Sequence, residues 1–260
     1  LFKSPVVFAP RGFFLVAGPA KTLDRFWMRL QPIILGGGCC LAFGAAFANT
    51  GLLLSTGTSV SHLTGDISKL SIDLVRSSPE VMAELLRVST AAFAFFVGAF
   101  FAGLLIHHPT IDVARPYGRT VTGIGALFVL SYLLIPTVPV LAISLSAFGC
   151  GIQNSLATRY RGIILRTTHL TGLITDFGIT LGMRVRGFDV PRWKIAVPGL
   201  LTAAFVLGGV LSAALYFWAG EDPILYAGVA YLFAGLIWTV AKHWLFRDYF
   251  FDAPGEDGDA

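Results

Sequence analysis

The residues with the most chemistry to offer are two histidines. Asn49 precedes Ser61-His62-Leu63-Thr64-Gly65, and Asn154 precedes Thr168-His169-Leu170-Thr171-Gly172, with 13 and 15 residues from Asn to His. An imidazole titrates near roughly pH 6.5, so burial or a neighbouring carboxylate can tune it into a proton carrier, a role open also to Asp66 and Asp176. The side-chain amides of Asn49 and Asn154 can satisfy backbone groups freed by an unwound turn or bind a solute directly. Gln153 adds an amide in the second copy only. Thr64 and Thr171 are expected helix N-caps, while Gly65 and Gly172 permit close or irregular backbone. A helix N-terminus exposed there would offer N–H groups to an anionic or dipolar solute. The same Thr and Gly can also simply pack helices together.

In the first segment His62, Asp66, Lys69, Asp73 and Arg76 recur at spacings of four and three beside the stripe Leu63, Ile67, Leu70 and Leu74, which predicts an amphipathic helix. Alone, it reads as a helix lying at the membrane surface. The second copy is more apolar yet keeps His169 and Asp176 seven residues apart on one face, in the register of His62 and Lys69. Polar groups facing lipid cost several kcal/mol, so His169 and Asp176 are expected to face the protein interior or a wet cavity, with Lys69 and Asp176 pairing across the two copies.

Other chemistry is excluded by motif. The sequence holds no Walker loop, dinucleotide fingerprint, HExxH or nucleophile elbow, so neither enzyme activity, cofactor nor metal is expected. Cys39, Cys40 and Cys150 sit in apolar surroundings without a CxxC and read as buried hydrophobes. His107-His108, before Pro109, reads as interfacial.

Composition places these residues on or between membrane helices. The chain has 260 residues, 55% hydrophobic and only 13% charged, with mean hydropathy +0.74, whereas a soluble domain carries about 25% charge. Apolar runs reach the roughly 20 residues that a helix needs to cross a bilayer, and the alternation of a membrane barrel is missing. Expected spans are 32–55, 86–106, 121–135, 138–156, 196–218 and 224–242. The pieces 59–76 and 164–184, which carry the histidines, could either cross or dip into the bilayer.

The chain also repeats itself. Ala42-Phe43-Gly44 with Asn49-Thr50 recurs as Ala147-Phe148-Gly149 with Asn154-Ser155, and Gly98 and Gly103 are echoed by Gly208 and Ala213. The offsets of about 105 to 110 residues predict a duplication. Loop charge then favours six spans, because this count puts Arg115, Arg119, Arg159, Arg161, Arg166, Arg184, Arg186, Arg192, Lys194, Lys242 and Arg247 on the cytoplasmic side. Three spans per half invert the second half relative to the first.

The fold expected is therefore all-α: a polytopic integral membrane protein of about six transmembrane helices in two inverted three-span repeats, each with an amphipathic or re-entrant helix. The divisions are a cytoplasmic or interfacial segment 1–30, repeats 31–136 and 137–246, and a disordered acidic tail 247–260. The chain opens at Leu1, so the natural start is expected upstream.

On the marks Ser61-His62-Leu63-Thr64-Gly65-Asp66, Gly151-Ile152-Gln153-Asn154 and Thr167-Thr168-His169-Leu170-Thr171-Gly172, the chain resembles the YoaK-like family of bacterial six-span membrane proteins. The resemblance runs over nearly all of 32–246 and implies a bacterial inner-membrane location and six spans, without a settled substrate. The leading expectation is a secondary transporter for a small polar or anionic solute, with Asn49, Ser61, His62, Thr64, Gly65, Gln153, Asn154, Thr168, His169, Thr171 and Gly172 lining a central site. In that reading His62, Asp66, Lys69, His169 and Asp176 couple protons or form ion pairs. The competing class is a membrane scaffold, sensor or assembly factor; a passive channel or an intramembrane enzyme ranks below both. The expected partners are the bilayer and the solute, with no nucleic acid despite a pI near 9.1, and homo-oligomerisation stays open.

Overall fold

The structure, a computed structural model, describes residues 20–61, 63–76, 79–105, 117–156, 158–160, 163–165 and 167–245. They form α1 (Ala20–Thr56), α2 (Leu63–Arg76), α3 (Pro79–Leu105), α4 (Tyr117–Leu134), α5 (Pro139–Ser155), β1 (Thr158–Tyr160), β2 (Ile163–Leu165), α6 (Leu170–Val185), α7 (Arg192–Ala214, continued by a π-helical turn Leu215–Ala219) and α8 (Pro223–Leu245). Five helical stretches are long and apolar enough to cross a membrane: Pro32–Thr56, Met82–Leu104, Tyr117–Leu134, Arg192–Ala219 and Pro223–Lys242. The chain is a multi-pass helical membrane protein. At 1.5 Å per residue α5 is only about 25 Å long, yet it is the most enclosed of the helices, with Ala142, Ile143, Ser146, Ala147, Cys150 and Gln153 all buried.

Close backbone approach holds the bundle together. Lipid is as apolar as a helix surface, so association depends on van der Waals contact that small residues permit. A Cβ on Gly98 would overlap the Phe148 carbonyl, and one on Gly208 would overlap the Phe43 carbonyl. These contacts join α3 to α5 and α7 to α1 through residues at matching offsets in the sequence, 110 for the glycines and 105 for the phenylalanines. Ser212 Oγ donates to the Phe47 carbonyl at 2.8 Å, so residue numbers rise together along α1 and α7, which run parallel. Between α4 and α8, Gly118 meets Gly235 and Thr239, while Gly125 meets Gly228 and Leu232, an antiparallel crossing. Thr122 and Thr239 turn their hydroxyls back onto the carbonyls of Gly118 and Gly235, which satisfies both inside the seam. Gly103, by contrast, faces open space.

α6 and α7 form a helical hairpin. Gly187, at φ 93°, ends α6 with its N–H on the Arg184 carbonyl and the Phe188 N–H on the Met183 carbonyl, a Schellman closure that only a residue tolerant of left-handed backbone makes without strain. Arg184 Nη1 then caps the Val190 carbonyl at 3.1 Å. From this turn α6 runs back along α7. Phe177 packs on Gly199, and Leu170 packs on Ala45, Ala46 and Phe205. Phe205 lies about 20 Å along the helix axis from Arg192, so the first turn of α6 reaches about halfway up the α7 stretch.

The all-helical architecture is interrupted only by a short antiparallel hairpin among the described residues, Thr158–Tyr160 paired with Ile163–Leu165, where β-branched and aromatic residues favour extended chain. α1 begins at Ala20, with Pro32 inside the helix. One expectation changes. Neither Thr64 nor Thr171 caps a helix: α2 and α6 start one residue earlier, at Leu63 and Leu170, and His169 takes the N-cap position of α6 without a side-chain cap bond. Residues 1–19 of the N-terminal segment, His62, the His107-His108 pair and the tail 247–260 lie outside the described residues.

Candidate functional site

The two asparagines tie helix ends to the segments that follow. Asn49 Oδ1 accepts the Ser59 hydroxyl at 3.1 Å and the backbone N–H groups of Val60 and Ser61 at 3.0 Å each. Three donors on one carbonyl oxygen use up its acceptor capacity, so that atom serves the loop entering α2 and leaves no lone pair for a solute. Asn154 repeats the arrangement in outline: its Oδ1 accepts the Thr168 hydroxyl at 2.5 Å, at the entry to α6. Thr167 and Thr168 are buried beside it. Of the two roles open to these amides, backbone and loop anchoring is the one the geometry displays.

The second histidine segment lies on the flank of α6. That helix packs through Leu170, Leu173 and Phe177. His169 and Asp176 are both exposed on the single chain, rather than facing its interior. The physical reason is the helix period: at 100° per residue, Asp176 sits about 60° around from Leu173. The His169 imidazole folds over Gly172, whose missing Cβ would overlap Nδ1. Thr171 is exposed and its carbonyl accepts the Thr175 hydroxyl. In the first segment Ser61 and Asp66 are partly buried and Gly65 is exposed. The side chains of Thr64 and Lys69 lie outside the described residues, and with them the Lys69 partner expected for Asp176.

A different cluster occupies the middle of the bundle. Gln153 is 1% exposed, and its Nε2 donates to the Leu41 carbonyl at 2.8 Å, bridging α5 to α1. A carbonyl can only accept, so the amide nitrogen must face Leu41 and Oε1 must face away. Tyr231 of α8, 5% exposed, lies beside Gln153 and Cys150. Its hydroxyl lies against the Gln153 amide, whose second N–H points towards it in a contact looser than a normal hydrogen bond, and Gln153 Oε1 is enclosed without a partner of normal geometry among the described residues. The Tyr231 ring stands edge-on to Phe128 at 5.4 Å and fills the space over Gly44. Asn154 follows Gln153 in α5, whereas Asn49 lies eight residues past Leu41 in α1. The two anchors thus sit at different heights, roughly 12 Å apart along the helix axis.

Residues 37–237 match the model of a protein family described as a protein of unknown function, DUF1275. The chain belongs to the DUF1275 family. The DUF1275 match takes in both asparagine anchors, both histidine segments, Gln153 and Tyr231. No curated protein and no solved structure matches the chain.

Across the matched region, no charged side chain is buried among the described residues. The interior polar groups are amides and hydroxyls: Asn49, Ser131, Ser146, Gln153, Ser212 and their neighbours. Most are consumed locally. Ser146 donates to Ser131, which donates to the Ala142 carbonyl, both at 2.8 Å. Tyr231 is the residue that sequence reasoning missed. A tyrosine within an apolar run reads as an ordinary filler, and the glycine that admits its ring lies nearly 190 residues earlier in the chain.

Proposed function

We propose that this chain is a secondary carrier for a small polar solute, built from two equivalent halves, 31–136 and 137–246, inserted in opposite orientations. The observation that carries the reading is an enclosed neutral polar pair, Gln153 and Tyr231, set against each other where α1, α5 and α8 meet, with Gln153 Oε1 left without a partner of normal geometry among the described residues. A buried polar group without a partner costs about 1–3 kcal/mol, which a bound solute would offset.

The inverted arrangement draws support from matched contacts. α1 with α7 and α3 with α5 use corresponding glycines, and the corresponding helices α4 and α8 cross antiparallel. In this reading α1, α3, α4, α7 and α8 cross the membrane, and α5 crosses with α6 continuing from its inner end. The asparagine anchors then hold the two polar segments in register, and the glycine seams let the halves rock against one another. The family resemblance and the Lys/Arg distribution support a bacterial inner membrane with both described chain ends cytoplasmic.

The test is uptake into proteoliposomes of a panel spanning sugars, amides, alcohols, amino acids and carboxylates. Saturable uptake, accelerated when the same solute is preloaded inside, is expected for a carrier. No member moving faster than in protein-free vesicles would sink the reading in favour of a scaffold or assembly factor. Flux that neither saturates nor shows acceleration would favour a channel.

A further inference from the structure

The turn between α6 and α7 gathers positive charge. Residues 184–194 carry Arg184, Arg186, Arg192 and Lys194 against a single carboxylate, Asp189. Arg184 is committed to the turn itself, with its guanidinium on the Val190 carbonyl and 3.7 Å from Asp189. Arg186, Arg192 and Lys194 are exposed and make no ion pair among the described residues. Two of them face aromatic rings instead: Arg186 stands 5.8 Å from the Phe188 ring centre and Lys194 5.7 Å from that of Trp193. The Schellman closure at Gly187 sets the backbone that presents these side chains, so no loop has to be ordered to bring them together. The turn joining α2 to α3 is built otherwise. There the formal charges of Arg76, Glu80, Glu84 and Arg87 cancel, and Arg87 pairs with Glu84 at 3.0 Å.

The surroundings of the α6–α7 turn are apolar as well as cationic. Val185 and Phe188 are 82% and 53% exposed, and the turn abuts the membrane-length stretch Arg192–Ala219. Cations flanked by bare apolar side chains match the headgroup boundary of a bilayer, where phosphates meet the one kind and acyl chains cover the other. Pro191 at the N-cap of α7 makes no side-chain cap bond, so the positive end of that helix faces the same place. We propose that the α6–α7 turn docks an anionic phospholipid, with Arg186, Arg192 and Lys194 on its headgroup and Val185 and Phe188 among its acyl chains. A zwitterionic lipid brings its own cation, which these side chains repel. The site is independent of the carrier reading and needs only a chain embedded in a bilayer.

Native mass spectrometry of the full chain in detergent micelles tests this, with dioleoyl phosphatidylglycerol and dioleoyl phosphatidylcholine as probes that share acyl chains and differ in headgroup charge. Preferential retention of phosphatidylglycerol is expected. Arg186→Gln and Lys194→Gln should each weaken it about fivefold, the contribution of one cation near an anionic lipid surface. Arg119→Gln, which removes an exposed cation near the start of α4, should leave it unchanged. Asp189→Asn should tighten it. Equal retention of the two lipids overturns the proposal, as does undiminished retention in Arg186→Gln and Lys194→Gln. A matching loss in Arg119→Gln would also overturn it, by making the attraction a matter of net charge alone. Displacement of the lipid by inorganic phosphate at equal concentration would do the same, in favour of a site for free anions.

Discussion

Gly44 leaves the space that the Tyr231 ring occupies: a Cβ on Gly44 would fall 2.5 Å from Tyr231 Cε2 and 2.7 Å from its hydroxyl oxygen. The corresponding Gly149 is different, because a Cβ there would meet Phe128, Leu127 and Ile124 at ordinary contact distances of 3.4 to 3.7 Å. Gly44→Ala should therefore displace Tyr231 and destabilise the protein by about 1–3 kcal/mol, whereas Gly149→Ala should be close to neutral. Melting of both variants in one detergent checks this; equal losses would refute the steric asymmetry.

Gly98 and Gly208 carry matching loads. A side chain at either would be driven into a backbone carbonyl, that of Phe148 or of Phe43, and the backbone of a packed helix cannot swing aside as a flexible side chain can. Alanine at either position should cost more than about 3 kcal/mol or abolish folded expression, and the two should behave alike. Gly103→Ala, with nothing within 4 Å, is the control and should express and melt like the parent.

Asn49 and Asn154 should differ in degree. Asn49→Ala strands the backbone N–H groups of Val60 and Ser61, and is expected to cost about 2–4 kcal/mol. Asn154→Ala removes one hydroxyl bond, from Thr168, and should cost about 1–2 kcal/mol. Hydrogen exchange adds a local readout: the amides of Val60 and Ser61 should lose protection in Asn49→Ala with helices α4 and α8 unchanged.

His169 lies exposed on one chain, and the packing of α6 runs through Leu170, Leu173 and Phe177 instead. His169→Ala is thus expected to shift stability by less than about 1 kcal/mol, while Leu173→Ala should cost about 2–4 kcal/mol. Chemical denaturation in mixed micelles distinguishes them, and a larger loss for His169→Ala would restore the histidine to a packed role.

The helical membrane character is legible in the sequence, since apolar runs of bilayer length have few other stable states in lipid. The spans 32–55, 86–106 and 224–242 fall within a few residues of the membrane-length stretches Pro32–Thr56, Met82–Leu104 and Pro223–Lys242 of α1, α3 and α8. The pairing of Gly98 and Gly208 with the two Phe carbonyls is foreshadowed by their place in the repeat. Less is legible where the outcome depends on which side of a helix is covered. His169 and Asp176 share a face on any helical wheel, but the stripe that docks α6 on α7 lies beside that face, and only the partner helix decides this. The hairpin at 158–165 escapes notice because three-residue strands give no alternation to read. Tyr231 escapes because its partners, Gly44 and Gln153, come from two other helices and no local pattern joins them. The fate of His62 rests on residues outside those described.

In the proposed carrier α5 and α6 together contribute one crossing, so that the second half mirrors the first across the membrane. The most direct measurement is side-specific maleimide labelling of single cysteines placed at Thr137, Glu221 and Asp189, all exposed, after replacing Cys39, Cys40 and Cys150 with alanine. Thr137→Cys and Glu221→Cys are expected to react with an impermeant reagent on intact cells, and Asp189→Cys only after permeabilisation. Labelling of Thr137→Cys and Asp189→Cys from the same side would mean that α6 crosses by itself, and would contradict the shared crossing.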